Sequence, residues 1–265
     1  MIRNKFNFLI LGIFALLMNC ATFKSGDQNQ EQKAASILST QKALIYNYLN
    51  NSETHRAFQE IISLRRQYPK DPELLNFYGL ALLARKEPLE AVKAFQESYS
   101  LKPNIGVALN LSSAYMEIGK TNAAKKILLG ITKKRSEFDL YAFPERVYHN
   151  LALCYTREKK SKLAEKNYKK ALDLNPGSYM SLMGLGDHYA RLGRQRDALT
   201  QYQKAKLACQ NCFEATQLLS QTYLNIGSKN LASRAVEEFL QRNDTTDMDR
   251  KRAIKMQRNL QTRRN

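Results

Sequence analysis

The sequence predicts an all-α protein in which successive pairs of helices stack on one another. Only 11 of the 265 residues are Gly and 6 are Pro, and this scarcity disfavours an all-β fold built from many tight turns. Alanine recurs with spacings of 34, 33, 40, 34 and 34 residues, at Ala57, Ala91, Ala124, Ala164, Ala198 and Ala232. Apolar residues flank each of these alanines at helical spacing.

The flanking residues keep the same register in all six segments. Nine residues before each alanine stand Tyr48, Leu82, Tyr115, Tyr155, Tyr189 and Tyr223, and thirteen before it stand Leu44, Tyr78, Leu111, Leu151, Leu185 and Leu219. Four residues after it stand Ile61, Phe95, Leu128, Tyr168, Tyr202 and Val236. Residues four apart share one helix face, so each segment reads as two helices, A and B, that pack through these side chains.

This pattern resembles the tetratricopeptide repeat over residues 38–246, most clearly in the fourth and fifth segments. The resemblance implies a right-handed solenoid of six helix pairs, with repeats at 38–71, 72–104, 105–138, 145–178, 179–212 and 213–246. The repeated alanine is small because helix B approaches helix A closely there. Gly119, Gly193 and Gly227 fall at the turn between the two helices, where a residue with positive φ ends helix A.

The N-terminal segment, residues 1–19, predicts a secretory signal that ends before Cys20. Arg3 and Lys5 precede an apolar run from Phe8 to Met18, which is too short to span a bilayer comfortably. The stretch Leu17-Met18-Asn19-Cys20 resembles the lipobox of bacterial lipoproteins, which implies acylation of Cys20, as by palmitate, and a polar tether over 20–37. Ala21 after the cysteine favours the outer membrane over the inner one by the same resemblance. The alternatives are an ordinary cleaved signal or an uncleaved anchor.

Positive charge is concentrated at the C-terminus. The chain carries a formal charge of +18, and seven Lys and Arg residues stand between Arg250 and Asn265. Residues 247–265 predict a basic capping helix that docks through Ala253, Ile254, Met256 and Leu260. Two interpretations of its charge are open: the helix is a solvated cap, or it contacts anionic lipid, peptidoglycan or an acidic partner.

Three cysteines remain after Cys20, and two of them form a C-x-x-C motif at Cys209 and Cys212. No βαβ pattern surrounds the motif, as a thioredoxin-like pair would require, and no second thiol or histidine pair supports zinc. In an oxidising compartment the motif predicts a structural disulfide or two free thiols without a chemical role, with redox chemistry as the alternative.

Catalysis is not expected. The three histidines, His55, His149 and His188, lack a Ser, Cys or carboxylate partner at a sequence spacing that would indicate a catalytic site. The sequence also contains no phosphate-binding loop. We therefore expect no enzyme activity, cofactor, metal or small-molecule substrate. Nucleic acid is not expected as a partner either, because the aromatic residues occupy packing positions instead of a basic face.

A protein client is the expected partner. Solenoids of this type bind in the groove lined by the A helices, through fixed positions of each repeat. The residues predicted to line that groove are Tyr46, Leu49, Asn76, Leu80, Leu83, Leu109, Met116, His149, Leu153 and Met183. Some of them have packing on neighbouring A helices as the alternative role.

An insertion, residues 139–144, lengthens the spacing between the third and fourth repeats. It contains Tyr141, Phe143 and Pro144, which either cover a neighbouring helix or contact a partner. Pro144-Glu145-Arg146 followed by Asn150-Leu151 resembles the lipoprotein pilotins of type IV pilus biogenesis, which help the outer-membrane secretin assemble. The resemblance implies an outer-membrane lipoprotein, on the periplasmic face, that binds a secretin subunit. The alternative is an adaptor for outer-membrane protein assembly or for peptidoglycan enzymes.

Overall fold

The structure, a computed structural model, describes residues 30, 32–134 and 138–262, and these residues form thirteen helices and no strand. The prediction of an all-α fold is confirmed. The predicted signal segment and Cys20 lie outside the described residues. Helical backbone is present from residue 32, inside the segment 20–37 predicted to be a tether, because Lys33, Ala34 and Ala35 favour a helix.

The helices follow one another with short connections. They are α1 (32–50), α2 (Thr54–Gln67), α3 (Pro72–Ala84), α4 (Pro88–Leu101), α5 (Ile105–Glu117), α6 (Thr121–Lys133), α7 (Glu145–Arg157), α8 (Ser161–Leu174), α9 (Tyr179–Arg191), α10 (Gln195–Ala208), α11 (Phe213–Asn225), α12 (Lys229–Leu240) and α13 (Asp247–Thr262). Odd-numbered helices from α1 to α11 are the A helices of the six repeats, and even-numbered helices are the B helices.

The chain divides into an N-terminal unit that ends at Glu87 and a C-terminal unit that begins at Pro88. The N-terminal unit holds α1 to α3 around Ile45, Ile61 and Leu74. The C-terminal unit holds α4 to α13. Within the C-terminal unit each A helix packs against its own B helix and the preceding B helix, and α7 also packs against the A helices α5 and α9. The helices α5, α7 and α9 therefore form one continuous row.

A residue with positive φ ends the A helix of every repeat. Three of these residues are Gly119, Gly193 and Gly227, as predicted, and the other three are Ser52, Lys86 and Lys159. At Gly119 the backbone N–H groups of residues 119 and 120 donate to the carbonyls of Met116 and Tyr115 (3.0 and 2.8 Å). This arrangement satisfies the last carbonyls of the helix and turns the chain toward helix B.

The repeated alanines confirm the predicted register, since all six are completely buried. The residues four positions after them are buried as well. Leu44 departs from the pattern, because 43% of it is exposed while the next residue, Ile45, is buried. In later repeats the equivalent leucines, such as Leu151, pack in a cluster with the preceding B helix. Among the described residues no B helix precedes α1, and Leu44 packs on none there.

Close approach between helices depends on small residues of α9. A Cβ atom on Gly186 would lie 2.5 Å from Cε1 of Tyr202 on α10, and one on Gly184 would lie 2.6 Å from the same atom of Tyr168 on α8. Both tyrosines are almost fully buried. Glycine at these two positions lets α9 pack against the B helices on both of its sides.

The insertion between the third and fourth repeats is partly anchored. Phe138 is buried, and its ring meets that of Tyr148 edge to face at a centroid distance of 5.7 Å. Tyr141 is half-buried and contacts the ring of Phe143 (6.1 Å), which is half-exposed. Leu140 is 88% exposed. The aromatic residues therefore cover neighbouring side chains and also leave apolar surface open.

Candidate functional site

The predicted groove residues of the N-terminal unit form a surface with apolar character. Tyr46 is 54% exposed and its ring lies 6.4 Å from that of Phe77. Leu49 and Leu80 are half-buried and pack against the core of this unit, and Leu83 and Asn76 are half-buried as well. This surface can accept an apolar side chain of a partner.

A partly buried charge cluster joins α1 and α3 in the same unit. The ammonium group of Lys42 on α1 donates to Asp71 (2.6 Å) and lies 3.1 Å from Glu73 at the start of α3. Burial by itself lowers the pKa of Lys42, but the hydrogen bonds to the two carboxylates outweigh it and raise the pKa above its ordinary value. Asp71 also accepts from the backbone N–H of residues 73 and 74, so it caps α3.

Four groove residues predicted in the C-terminal unit are buried, and the prediction for them is wrong. These residues are Leu109, Met116, His149 and Met183. Met116 contacts the sulfur of Cys154 on the next A helix (3.6 Å), and the ring of His149 packs on Tyr168. Their repeat positions face the neighbouring helices, so these side chains hold the row of A helices together. Leu153 is half-buried and packs against the same core.

The A helices of the C-terminal unit also carry a polar surface. We call it the A-helix face, and it comprises Ser113, Asn150, Arg157, Asp187, Arg191, Gln217 and Gln221. The amide of Asn150 donates to the hydroxyl of Ser113 (3.4 Å), and the guanidinium of Arg157 donates to the backbone carbonyl of Met116. Such groups can hydrogen-bond the backbone or polar side chains of a bound polypeptide.

Arg157 and Arg191 were not among the predicted site residues. They stand at the same position of the fourth and fifth repeats, 34 residues apart, and both are exposed. The repeat register itself was the signal that could have found them. Asp187, which lies between the two arginines in the sequence, accepts a 2.6 Å hydrogen bond from the hydroxyl of Tyr202. This bond holds its carboxylate in place.

Two serine–histidine pairs, unforeseen from sequence, lie inside the C-terminal unit. Nδ1 of His149 is 3.5 Å from the hydroxyl of Ser181, and Nε2 of His188 is 3.2 Å from that of Ser161. Both imidazoles pack on the ring of Tyr168. Burial lowers the pKa of His149 to about 4, so its ring is neutral near pH 7. Ser181 is completely buried, which leaves its hydroxyl no access to a substrate.

The structure joins Cys209 and Cys212 in a disulfide across the turn between α10 and α11, with their Cα atoms 5.4 Å apart. Cys209 follows the last residue of α10 and Cys212 precedes the first residue of α11. Cys154 is a buried free thiol, and burial raises its pKa to about 11. A thiol in that state is a poor nucleophile.

Helix α13 packs on the last repeat. Ala253 and Leu260 are buried, and Met256 is partly buried against a cluster that contains Phe213 and Phe239. Ile254, predicted to dock with them, instead points outward, because it lies one residue past Ala253 on another side of the helix. The guanidinium of Arg252 donates to Gln217 (2.8 Å), so the helix also contacts the A-helix face.

Among the described helices, none combines the length and the apolar character needed to cross a bilayer.

Models of the tetratricopeptide repeat family match residues 43–104 and 145–178. Together with the six-fold register of alanines and turns, they show that the fold is a tetratricopeptide-repeat solenoid. No curated protein is a significant match to the sequence.

Three solved structures show the same fold at low sequence identity. A chain of the APC/C hetero-tetramer Cut9-Hcn1 has a TM-score of 0.63 and 16% identity; the match covers 84% of this chain but only 42% of that chain. The pilF protein of Pseudomonas aeruginosa has a TM-score of 0.59 and 18% identity, with 81% of this chain and 95% of pilF covered. PilW, a type IV pilus biogenesis factor, has a TM-score of 0.64 and 15% identity, with 82% and 97% covered.

Proposed function

We propose that this chain is a non-enzymatic outer-membrane lipoprotein that binds a secretin subunit of a type IV pilus and promotes its targeting or assembly. The observation that carries the proposal is the match to PilW, which covers 97% of that protein and 82% of this chain. This likeness extends over almost the whole of a pilus biogenesis factor, whereas the match to the chain from the Cut9-Hcn1 complex covers under half of that chain.

Sequence features outside the match support the same proposal. An apolar segment ends at Cys20, as in lipoproteins, and an insertion that ends in Pro144-Glu145-Arg146 separates the third and fourth repeats. Acyl chains on Cys20 would hold the protein at a membrane, since each buried methylene adds about 0.8 kcal/mol. A membrane tether and a repeat surface together suit a protein that keeps an outer-membrane client near its site of assembly.

The client contacts differ between the two units. The N-terminal unit offers Tyr46, Leu49 and Leu80, which suit an apolar segment. The A-helix face of the C-terminal unit offers amides, hydroxyls and guanidinium groups, which suit polar groups of a polypeptide. Both surfaces therefore suit the binding of a polypeptide.

The test is deletion of the gene followed by complementation. Deletion should lower the amount of secretin multimers, measured on immunoblots, and the number of surface pili. Wild-type protein should restore both, whereas Tyr46→Asp and Cys20→Ala should restore them poorly. Leu89→Asp is the matched control for Tyr46→Asp, because Leu89 is also exposed but lies on a B helix. Normal multimers and pili in the deletion strain would refute the pilus assignment.

Crosslinking separates the proposal from its alternative. Membranes treated with a short crosslinker should yield the secretin as the dominant partner of the wild-type chain. Recovery of β-barrel assembly proteins or peptidoglycan enzymes in its place would overturn the secretin assignment and leave the binding role. Labelling with a palmitate analogue should mark the wild-type chain and not Cys20→Ala, and an unlabelled wild-type chain would contradict the lipoprotein assignment.

A further inference from the structure

Helix α13 packs with one side on α11 and α12 and presents the other side to solvent. Ala253 and Leu260, seven residues apart, are buried and fix this orientation. Lys251, Lys255 and Arg258 are all exposed. At about 100° of rotation per residue, each of these three lies within about 40° of the direction opposite to Ala253. We call the three residues the cationic row, and at a rise of about 1.5 Å per residue it extends over about 10 Å.

The charges of the cationic row are not balanced within the protein. Residues 250–265 contain seven Lys and Arg residues and no Asp or Glu. Arg250 donates to the backbone carbonyl of Arg242 (2.9 Å), and Arg252 pairs with Asp249 (3.0 Å). In the described part of the chain, by contrast, no acidic side chain forms an ion pair with the cationic row. Neighbouring cations of one sign sum to a positive potential that attracts an external anion.

Exposed apolar side chains accompany the cationic row. Met248, three residues before Lys251, is 71% exposed, and Ile254, one residue before Lys255, is 36% exposed. Cations beside apolar side chains are typical of helices that lie at a bilayer surface, where the apolar groups enter the boundary between headgroups and acyl chains. A bilayer would therefore satisfy both kinds of side chain, whereas an acidic segment would need apolar residues of its own to cover Met248 and Ile254.

The geometry of the cationic row also suits a plane. Its side chains extend from one side of a single helix, and the contacts of α13 with other described helices are on α11 and α12. A convex side of this kind can approach a continuous anionic surface along its whole length. The headgroups of a bilayer that contains anionic lipid form such a surface, and each Lys or Arg near it adds to the attraction.

We propose that the cationic row binds the anionic headgroups of a phospholipid bilayer, as a peripheral membrane contact of α13. The Lys and Arg side chains meet the lipid phosphates, and Met248 and Ile254 enter the interface. Ala253 and Leu260 stay buried against the last repeat, so α13 remains part of the solenoid. The contact requires neither acylation of Cys20 nor a client. Failure of the proposed function would therefore leave this contact unchanged, and its failure would leave the proposed function unchanged.

An environment-sensitive fluorophore on α13 of the full chain tests the proposal. Thr262→Cys, in a Cys20→Ser background, provides the labelling site, because the other cysteines are buried or joined in the disulfide. The probes are vesicles of about one part phosphatidylglycerol to two parts phosphatidylcholine, and vesicles of phosphatidylcholine alone. The anionic vesicles should shift the emission to the blue, and the neutral vesicles should not. Salt at about 1 M, where the Debye length is about 3 Å, should reverse the shift.

Two triple variants with the same loss of charge give the matched comparison. Replacement of the whole cationic row by Gln should lower the ratio of bound to free α13 on anionic vesicles about a hundredfold, since each cation contributes about fivefold, the factor that corresponds to about 1 kcal/mol. The control replaces Lys162, Lys166 and Lys169 of α8, also exposed, by Gln and should retain most of the contact. Both variants should melt close to the wild-type temperature, because Gln favours a helix.

Several results would overturn the proposal. The emission could stay unchanged on anionic vesicles, or it could shift equally on neutral ones. The control could lose as much contact as the variant of the cationic row, which would show a general effect of net charge. Soluble polyglutamate could shift the emission while vesicles do not, which would assign the row to an acidic polypeptide. Binding to peptidoglycan that needs the row, without vesicle contact, would assign it to the cell wall.

Discussion

Substitution of Gly186 by alanine should destabilise the C-terminal unit, although alanine is the better helix former. The new Cβ would lie 2.5 Å from Cε1 of Tyr202 and 2.8 Å from its Cδ1, closer than carbon atoms can approach. Tyr202 is almost fully buried, and its hydroxyl donates to Asp187. The ring therefore has little room to move, and any movement strains the hydrogen bond.

The magnitude follows from three opposing effects. Overpacking of a buried side chain costs about 1–3 kcal/mol, and a weakened hydrogen bond to a carboxylate costs up to about 1.5–3 kcal/mol. The gain in helix propensity offsets about 1 kcal/mol. We expect a net loss of about 2 kcal/mol or more in the free energy of unfolding, which corresponds to a melting temperature about 4–8 °C lower.

Thermal and urea unfolding, followed by circular dichroism, measure the effect. Gly130→Ala is the matched control, because it also replaces a helical glycine of the C-terminal unit but meets no atom within 4 Å. The control should gain up to about 1 kcal/mol from propensity. The reasoning fails if both variants are stabilised alike, since the contact with Tyr202 would then have no energetic consequence.

Three further predictions concern pH, redox state and a turn. The pKa of His149 falls from 6.5 to about 4 on burial, so the unfolded chain binds the proton more readily than the folded chain. The free energy of unfolding should thus decline by about 3 kcal/mol as the pH falls from 6.5 to 4. In urea titrations at each pH, the free energy of unfolding of His149→Gln should decline less than that of the wild type. Identical pH profiles for the two proteins would contradict this. Reduction of the Cys209–Cys212 disulfide should cost no more than about 2 kcal/mol, because the loop that it closes is short, and a larger drop in the urea midpoint with dithiothreitol would contradict the entropic reasoning. Lys159→Gly should raise the melting temperature, because Lys159 has a φ of 58° and glycine adopts this conformation at a lower cost. The expected gain in the free energy of unfolding is roughly 0.5–1 kcal/mol. A lower melting temperature would show that contacts of the lysine side chain outweigh this gain.

The periodic features of the fold could be predicted from sequence because they repeat six times. The alanines mark where helix B meets helix A, and their burial depends only on the pairing within one repeat. The turn glycines follow from the same register. Ser52, Lys86 and Lys159 show the limit of this inference, because the structure also places non-glycine residues in the left-handed conformation.

The binding surface could not be predicted as well, because exposure depends on the neighbouring repeat. Leu109, His149 and Met183 share one repeat position, and helical spacing places them on the A helices, as predicted. Their burial results from the packing of adjacent helices, whose separation and angle do not appear in the periodicity. Leu153, four residues after His149 on the same helix, is only half-buried. One turn of helix therefore separates a fully buried residue from one that is partly exposed.

Helix α13 determines where the repeat array stops. It covers Phe213, Val236 and Phe239, which would otherwise be the apolar edge of the last helix pair. In an array whose members recognise only their neighbours, an uncovered edge attracts another helix of similar shape, including one from a second copy of the chain. A chain shortened before Asp247 would therefore expose this apolar edge, and its self-association would rise with concentration. The charged outer surface of α13 keeps the intact chain from growing in this way.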